Sequence, residues 1–263
     1  MEALKEVPDP RKARGQRYSW TFLLAVVCAA LASAQRTPHA IAHWITLHAT
    51  ELRQELTPRR HTMPSEATVR RLLRRIDLQA LETQVTTYNQ QLAMEAPAGT
   101  ITTTKGEVLR GQAVDGKELR GLRAHGQPLS LVHLVQHGSG TVLGQTEVSE
   151  KSNEITAVPA LLAGRDLSNT VLTMDALLTQ RELSQHILEQ RGHYLMVVKE
   201  NQPALYQAIA LLFEQPPWLP REKAAEYQVH RTTEKGHGRR ETRVLESSTT
   251  LSAYLDWPGV RQV

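Results

Sequence analysis

The 263-residue sequence has a single cysteine, Cys28, so an intramolecular disulfide and a cysteine-rich zinc site are both excluded. A reducing cytoplasm is therefore the expected location. The sequence also lacks a hydrophobic run long enough for a membrane-spanning helix, because its most apolar stretch, residues 22–34, falls short of about 20 residues. Basic residues before this stretch leave a signal peptide open as an alternative, but a buried helix is the simpler interpretation.

A strong excess of one charge is missing as well. Thirty-one lysines and arginines against 27 acidic residues give a net charge of +4 and a pI near 9.3. This mild basicity permits a polyanionic partner without requiring one. The composition, 40% hydrophobic and 22% charged, is that of a globular protein, and the length suffices for two domains with hydrophobic cores. No internal repeat is present, which excludes repeat architectures.

The first 95 residues are predicted to form an all-helical region. Helices are expected over residues 22–34, 38–56, 66–75 and 78–94, and Ser65 is a suitable N-cap for the third. Apolar residues fall at helical spacing along one face of this third helix. Four arginines lie on its other face: Arg70, Arg71, Arg74 and Arg75. These arginines are either phosphate contacts, as in a helix-turn-helix module, or a solvated polar face.

The pattern changes to an α/β type after a linker predicted at residues 96–104. Three strands are expected first, and then helices and strands that alternate; the strands are predicted at residues 110–115, 129–136, 142–148, 170–174 and 194–199. Helices are expected at residues 154–163, 179–191 and 202–214. This order predicts a mixed sheet with flanking helices over residues 105–263, as in the ribonuclease-H-like fold.

Two aspartates at predicted strand ends are the candidate catalytic residues. Asp115 ends the first strand in AVDGKELRG, and Asp175 ends the fourth in VLTMDALLTQ. Carboxylates on adjacent strands can share divalent ions, and two metals about 3.5–4 Å apart can activate water in phosphodiester chemistry. Mg²⁺, or Mn²⁺ in its place, suits such oxygen ligands. Alone the signal is weak, because an Asp-Gly pair after a strand is more often a simple turn.

Seven segments, in order along the chain, point to one family: DPRKARGQRYSW, MPSEATVRRLLRRID, AVDGKELRG, EKSNEITAVPALL, TMDALLTQRELSQHI, YLMVVKENQPAL and GHGRRETR. Over nearly its whole length the chain resembles bacterial insertion-sequence DDE transposases of the ISAs type, which include the H-repeat-associated proteins. In that family a helical amino-terminal region precedes a ribonuclease-H-like domain. The resemblance implies that Asp115 and Asp175 are the first two acids of the catalytic triad and bind Mg²⁺ or Mn²⁺.

The third acid of the triad is not found by this resemblance. The family carries it in a helix with the pattern HWxIEN, and the 263 residues contain no such motif. We therefore expect a truncated and inactive copy of the enzyme. Glu241 is one substitute to weigh, against the interpretation of an exposed strand residue paired with Arg239 or Arg243. Glu200 is expected to be an ordinary solvent-facing residue.

The resemblance implies DNA as the partner, at the transposon ends and the target, and a homodimer assembled on it. Further candidate DNA contacts are Lys117 and Arg120, which follow the first aspartate, and Lys199, which follows the fifth strand. The predicted function is phosphodiester hydrolysis followed by strand transfer. Two alternatives stay open: a non-catalytic DNA-binding remnant of a decayed element, and a metal-dependent nuclease that uses two acids.

Overall fold

The computed structural model of the chain describes residues 1–14, 16–58, 60–95, 99–124, 127–148, 153–214, 227–236 and 238–263, with backbone alone between residues 120 and 128. Internal contacts divide the chain into two units, Met1–Glu95 and Ala96–Val263. Within the described ranges, no helix combines the length and the apolar character that crossing a membrane requires.

The first unit is helical, as predicted. Its helices are α1 (Glu2–Lys5), α2 (Trp20–Ala32), α3 (Pro38–Leu47), α4 (Ala49–Leu56), α5 (Glu66–Leu73) and α6 (Leu78–Glu95). Helix α2 begins two residues earlier than predicted because the Ser19 side chain accepts a hydrogen bond from the backbone N–H of Phe22 and caps the helix there. The single helix expected over residues 38–56 is divided at His48, whose backbone leaves the helical conformation.

Helix α2 is the centre of the first core, which confirms its interpretation as a buried helix. Leu24 and Val26 are almost completely buried, and Ile45 of α3 and Val69 of α5 belong to the same hydrophobic cluster. Burial of a side chain of this size contributes about 1.5–3 kcal/mol. Because Val69 faces the core, the arginines of α5 and the turn after it are exposed.

The second unit contains a mixed sheet with the strand order β4-β3-β2-β5-β6, and β1 pairs with β2 beside that path. The strands are β1 (Thr100–Thr102), β2 (Val108–Ala124), β3 (Gln127–Gln136), β4 (Val142–Glu147), β5 (Thr170–Met174) and β6 (His193–Met196). β2, β3 and β4 pair antiparallel, whereas β5 and β6 run parallel to β2. The flanking helices are α7 (Glu154–Leu162), α8 (Arg181–Glu189) and α9 (Pro203–Phe213). This is the ribonuclease-H-like arrangement, so the predicted fold class is confirmed.

Two boundary predictions are corrected. The first predicted strand was expected to end at Asp115, but β2 continues to Ala124 because β3 pairs with it well past that point. Asp115 therefore lies just after the part of β2 that pairs with β5, and it does not end the strand. The predicted linker also contains regular structure, since β1 at Thr100–Thr102 pairs antiparallel with Val108–Arg110 across a turn at Gly106, whose φ is +82°.

The two faces of the sheet differ in burial. On one face Val114, Leu134 and Leu172 are buried together with Leu162 of α7 and Ile187 of α8. The opposite face is more open, because Leu195 of β6, which pairs with Thr173, is 65% exposed. Side chains alternate between faces along a strand, so Asp115 belongs to the open face and Gly116 to the covered face.

The last described residues form a two-stranded ribbon and a segment fixed to α8 and β6. The ribbon consists of β7 (Tyr227–Gly236) and β8 (Arg239–Ser248), and a short 3-10 helix (Thr250–Ala253) follows. Trp257 Nε1 then donates a hydrogen bond of 3.0 Å to Ser184 Oγ, and the Tyr194 hydroxyl donates to the carbonyl oxygen of Pro258. The end of the chain is thus held by specific contacts to the sheet domain.

Candidate active site

The register of two parallel strands places Asp115 beside Asp175. Val114 of β2 pairs with Met174 of β5, and an aspartate is the next residue on each side. Neighbouring strands lie about 4.8 Å apart, so the two backbones are adjacent at this rim of the sheet. Both aspartates are exposed, while Val114 and Met174 before them are buried. The predicted pair of acids therefore occupies neighbouring positions at this rim of the sheet.

The loop after Asp175 is held in place by hydrogen bonds. Asp175 Oδ1 accepts a bond of 3.1 Å from the backbone N–H of Leu178. The buried Thr179 Oγ1 lies 2.7 Å from the carbonyl oxygen of Val197 and 3.1 Å from that of Asp175. These contacts join the Asp175 loop to the end of β6 and restrict where the carboxylate can move.

Two amide side chains complete this support. Asn201 Nδ2 donates a bond of 2.6 Å to the carbonyl oxygen of Ala176, and Gln202 Nε2 donates one of 2.9 Å to that of Thr179. Both belong to the segment YLMVVKENQPAL, but sequence reasoning gave them no role in positioning Asp175. Their partners are backbone atoms of a distant loop, which no local pattern identifies.

The predicted DNA contacts near the aspartates lie in different surroundings. Lys117 is exposed and shares a face of β2 with Asp115, two residues away. Lys199 and Glu200 are exposed after β6, at the rim that follows the Asp175 loop. The backbone of Arg120 belongs to β2, but its side chain lies outside the described part of the chain.

A third carboxyl group, that of Glu154, approaches the same rim from α7. Glu154 is the first residue of the helix, whose N-cap Asn153 forms a capping box with Thr156. A Cβ placed on Gly116 would lie only 2.0 Å from this carboxyl group. The pKa of Glu154 is raised, first by partial burial and then by the negative charges of Asp175 and Asp115. Glu154 lies in the quoted segment EKSNEITAVPALL, yet it was not singled out from the sequence.

These carboxyl groups supply the hard oxygen donors that Mg²⁺ and Mn²⁺ favour. The missing side chain at Gly116 leaves space for the Glu154 carboxyl group on the covered face of β2, one residue along the strand from Asp115. In the described ranges, however, no group of three His, Cys, Asp or Glu side chains is close enough, as it stands, to hold a metal ion. The donor set thus fits a divalent cation in its chemistry but would have to close around it.

Glu241 is an exposed residue of a strand, in agreement with one of its two interpretations from the sequence. Arg243 donates to its carboxylate through Nε at 3.0 Å and Nη2 at 3.1 Å. It belongs to β8 of the ribbon, a separate sheet from the one that carries Asp115 and Asp175. Its exposed arginine partner leaves this carboxylate ion-paired at the surface.

The arginines of the α5 region are all exposed, but they differ in their contacts. Arg70 donates through Nε and Nη2 to Glu66 Oε1 at 2.8 and 2.6 Å, so part of its charge is neutralised. Arg71 Nε donates to the carbonyl oxygen of Ala67. The exposed side chains of Arg74 and Arg75 lie just beyond the helix.

Comparison with known families decides the assignment. The DDE_Tnp_1-associated family matches residues 1–89, and the transposase DDE domain family matches residues 107–253. The chain belongs to the transposase DDE domain family. Transposases are DNA-cleaving enzymes, and those with this domain generally use divalent metal ions. Asp115, Asp175 and Glu154 all lie within the matched part of the DDE domain.

Similar proteins support the same assignment. A protein encoded in the dhlA 3′ region of Xanthobacter autotrophicus is 32% identical over 97% of this chain and 83% of its own length. YncI of Escherichia coli O157:H7, a candidate transposase, is 28% identical over all of this chain and 65% of its own length. YhhI of Escherichia coli K12, a candidate H repeat-associated transposase, is 36% identical over 57% of this chain and 41% of its own length.

Among solved structures, a piggyBac transposase synaptic complex with hairpin DNA matches 89% of this DDE domain protein and 54% of its own chain. The TM-score is 0.38 at 10% sequence identity, so the similarity is weak.

Proposed function

We propose that this protein cleaves DNA at the ends of an insertion sequence and joins the freed ends to target DNA, with Asp115 and Asp175 as catalytic residues. The observation that supports this most directly is the pairing of Val114 with Met174, which makes the two aspartates neighbours. Both lie within the residues that match the transposase DDE domain. The family assignment supports this reaction, and the strand register supports the choice of these two aspartates.

The reaction is two phosphoryl transfers. Water attacks a phosphorus at the transposon end, and the bond to the 3′ oxygen breaks, which leaves a 3′ hydroxyl and a 5′ phosphate. That 3′ oxygen then attacks a phosphorus of the target and releases a target 3′ hydroxyl. Asp115 and Asp175 would hold Mg²⁺ or Mn²⁺, which when bound supplies water activation and stabilises the leaving oxygen. The hydrogen-bonded loop after Asp175 keeps its carboxylate oriented.

We assign DNA binding to basic residues in both units. Exposed Lys117 and Lys199 lie on the side of the aspartates and suit a phosphate near the reacting bond. The arginines at positions 70, 71, 74 and 75 suit phosphates of the transposon end. On this proposal residues 1–95 bind DNA and residues 105–263 carry the chemistry, and two copies act together on DNA in the cytoplasm.

DNA binding without cleavage, which the expected inactive copy would retain, is a second candidate function. It is favoured by one observation, that three acids within metal-binding distance of one another are not found among the described residues. On this view the aspartates form an incomplete metal site, and DNA binding by the basic surfaces is the activity that remains. The two functions differ in a single measurable property, metal-dependent nicking.

The test uses the protein and a labelled duplex that carries the inverted repeat flanking its own gene. We expect Mg²⁺-dependent nicking at the repeat end, loss of nicking in Asp115→Asn and unchanged DNA affinity in that variant. Glu200→Gln, which removes an exposed carboxylate after β6, is the matched control and should retain nicking. Binding without nicking by the unmodified protein would support the second function instead, and nicking by Asp115→Asn would overturn the first.

A further inference from the structure

We infer that Glu154 is a third metal-binding carboxylate of this site and acts together with Asp115 and Asp175. The inference rests on the proposed function, since it adds a residue to the same centre. It differs from the family expectation, which places the third acid in an HWxIEN helix. It also differs from the substitute weighed from the sequence, Glu241, whose carboxylate is paired with Arg243.

Gly116 leaves a space on the covered face of β2. Glycine in a strand interior weakens the strand, so its presence needs a reason. The backbone does not provide one, because Gly116 pairs regularly with Val132 and is not among the positive-φ glycines. A side chain there would collide with the Glu154 carboxyl group, at 2.0 Å from its Cβ. The glycine therefore makes room for this carboxylate next to Asp115.

Contacts with other side chains do not account for the position of the Glu154 carboxyl group in the described part of the chain. Its carboxyl group has no hydrogen bond or ion pair with another residue in the ranges that the structure describes. An acid at the first position of a helix is favoured by the helix dipole, but it could gain that by pointing into solvent. Instead it lies where two aspartates repel it. A divalent cation would turn this unfavourable set of charges into a favourable one.

The open rim of the sheet allows the three carboxylates to converge. Asp115 and the space above Gly116 are on opposite faces of β2, which agrees with the separation of the acids as they stand. β5 ends at Met174, however, so among the described strands none covers β2 beside Asp115 on the side away from β3. The long side chain of Glu154 can reach an ion at this open edge through rotation about its own bonds.

The test measures Mn²⁺ binding to the full chain by calorimetry, independently of cleavage. We expect Glu154→Gln to weaken Mn²⁺ binding about tenfold or more, because loss of even an outer-shell partner weakens metal binding by about 10–100-fold. Gly116→Ala keeps the acid but fills the space that its carboxylate occupies, and we expect a smaller loss, because the end of this flexible side chain can turn aside. Glu200→Gln is the control and should bind as the unmodified protein does. Circular dichroism spectra check that every variant is folded.

The outcomes separate this inference from the proposed function. Unchanged affinity in Glu154→Gln, with affinity lost in Asp175→Asn, would overturn the role of Glu154 and leave the proposed function intact. Absence of Mn²⁺ binding by the unmodified protein would contradict both. A loss in Glu154→Gln that Glu154→Asp partly restores would support coordination by the carboxylate.

The strand register of the ribbon of β7 and β8 places several basic residues on one of its faces. We propose that one face of this ribbon lies in a groove of double-stranded DNA, an inference that also rests on the proposed function. The cross-strand pairs Lys235 with Arg240 and Thr233 with Thr242 share a face with Arg231. The Thr233 and Thr242 hydroxyls are 3.2 Å apart, in agreement with this register. We call this the basic face.

The two faces of the ribbon differ in charge. The basic face carries Arg231, Lys235 and Arg240, and its acid, Glu246, lies at the far end from the turn. On the opposite face Glu234 pairs across the strands with Glu241. Two arginines, at positions 239 and 243, neutralise these two negative charges. Residues 228–236 and 238–245 are exposed on both faces. A two-stranded ribbon fits the major groove, about 12 Å wide, and a positive face complements the phosphates along it.

The test compares two double variants that each remove two positive charges. Affinity for a 30-base-pair duplex is measured by fluorescence anisotropy at several salt concentrations. We expect Lys235→Ala with Arg240→Ala to weaken binding and to reduce the salt slope by up to about 2, since each lost phosphate contact removes about 0.9. The control variant, Arg239→Ala with Arg243→Ala, should change the affinity and the salt slope much less.

Equal effects of the two variants would overturn the assignment of a face. No duplex binding by the unmodified protein would contradict the proposed function itself, so the two failures are distinguishable.

Discussion

The carboxyl group of Glu154 fills the space in which Gly116 would otherwise carry a side chain, since a Cβ there would lie 2.0 Å from it. This contact joins the start of α7 to the residue after Asp115. Together with the pairing of β2 and β5, it places acids from β2, from the end of β5 and from α7 near one rim of the sheet. Repulsion among these carboxylates should lower the free energy of unfolding of the metal-free protein.

The first prediction follows from the partial burial of Glu154 and from that repulsion. The pKa of Glu154 is raised in the folded protein, so its ionised form destabilises the fold at pH values above that pKa, and the penalty disappears as the pH falls below its unfolded value. In EDTA at neutral pH, Glu154→Gln should therefore melt at a slightly higher temperature than the unmodified protein. Saturating Mn²⁺ should reverse the order. Differential scanning fluorimetry measures both, and a lower melting temperature in EDTA would contradict the prediction.

The second prediction concerns the loop that follows Asp175. Asn201→Ala removes the hydrogen bond to the Ala176 carbonyl, and such a bond contributes about 0.5–1.5 kcal/mol. We expect faster amide exchange at Leu178 and slower nicking, with a small loss of global stability. Gln185→Ala, which removes an exposed amide bonded to Glu189, should leave the loop unchanged. Equal exchange at Leu178 in both variants would show that Asn201 does not position the loop.

The third prediction distinguishes the arginines near α5. Arg74→Ala with Arg75→Ala should reduce the salt dependence of DNA binding by up to about 2 in slope, if both contact phosphates. Arg70→Ala should have a smaller effect, because Glu66 already pairs with Arg70. Fluorescence anisotropy over a range of salt concentrations measures each slope. Slopes equal to that of the unmodified protein would mean that these arginines form a solvated face.

The fourth prediction tests the core of the first unit. Leu24 of α2 is 1% exposed, and its replacement by Ala should cost about 2–5 kcal/mol. Leu31 lies on the same helix but is 47% exposed, so Leu31→Ala is the matched control and should cost far less. Denaturant unfolding followed by circular dichroism gives both values. Similar losses for the two variants would be inconsistent with a core centred on α2.

Much of the fold could be predicted where the signal is local. The strand over residues 170–174 was predicted with the bounds that the structure shows, because its apolar run stops at an aspartate. The start of α7 was predicted at Glu154, and the Asn153 capping box accounts for it. The pair Asp115 and Asp175 was expected on neighbouring strands, and the parallel register of β2 and β5 makes them neighbours.

What could not be predicted depends on distant partners. β2 extends to Ala124 because β3 pairs with it. The sequence of one strand alone does not determine how far that pairing extends. The approach of Glu154 to Gly116 joins residues 38 positions apart, through packing of α7 on the sheet. Trp257 gave no pattern in the sequence, because its bond to Ser184 forms only once α8 is in place.

The central claim, that Asp115 and Asp175 share a divalent ion, is tested most directly by Fe²⁺-mediated cleavage of the protein itself. Fe²⁺ bound in place of Mg²⁺, with ascorbate and peroxide, cuts the backbone close to its ligands, and the fragments are sized by mass spectrometry. The account predicts cuts clustered near residues 115 and 175, with a third near 154, and their suppression by excess Mn²⁺ or by Asp115→Asn. Cuts near only one of the two aspartates, or an unchanged pattern in Asp115→Asn, would contradict it.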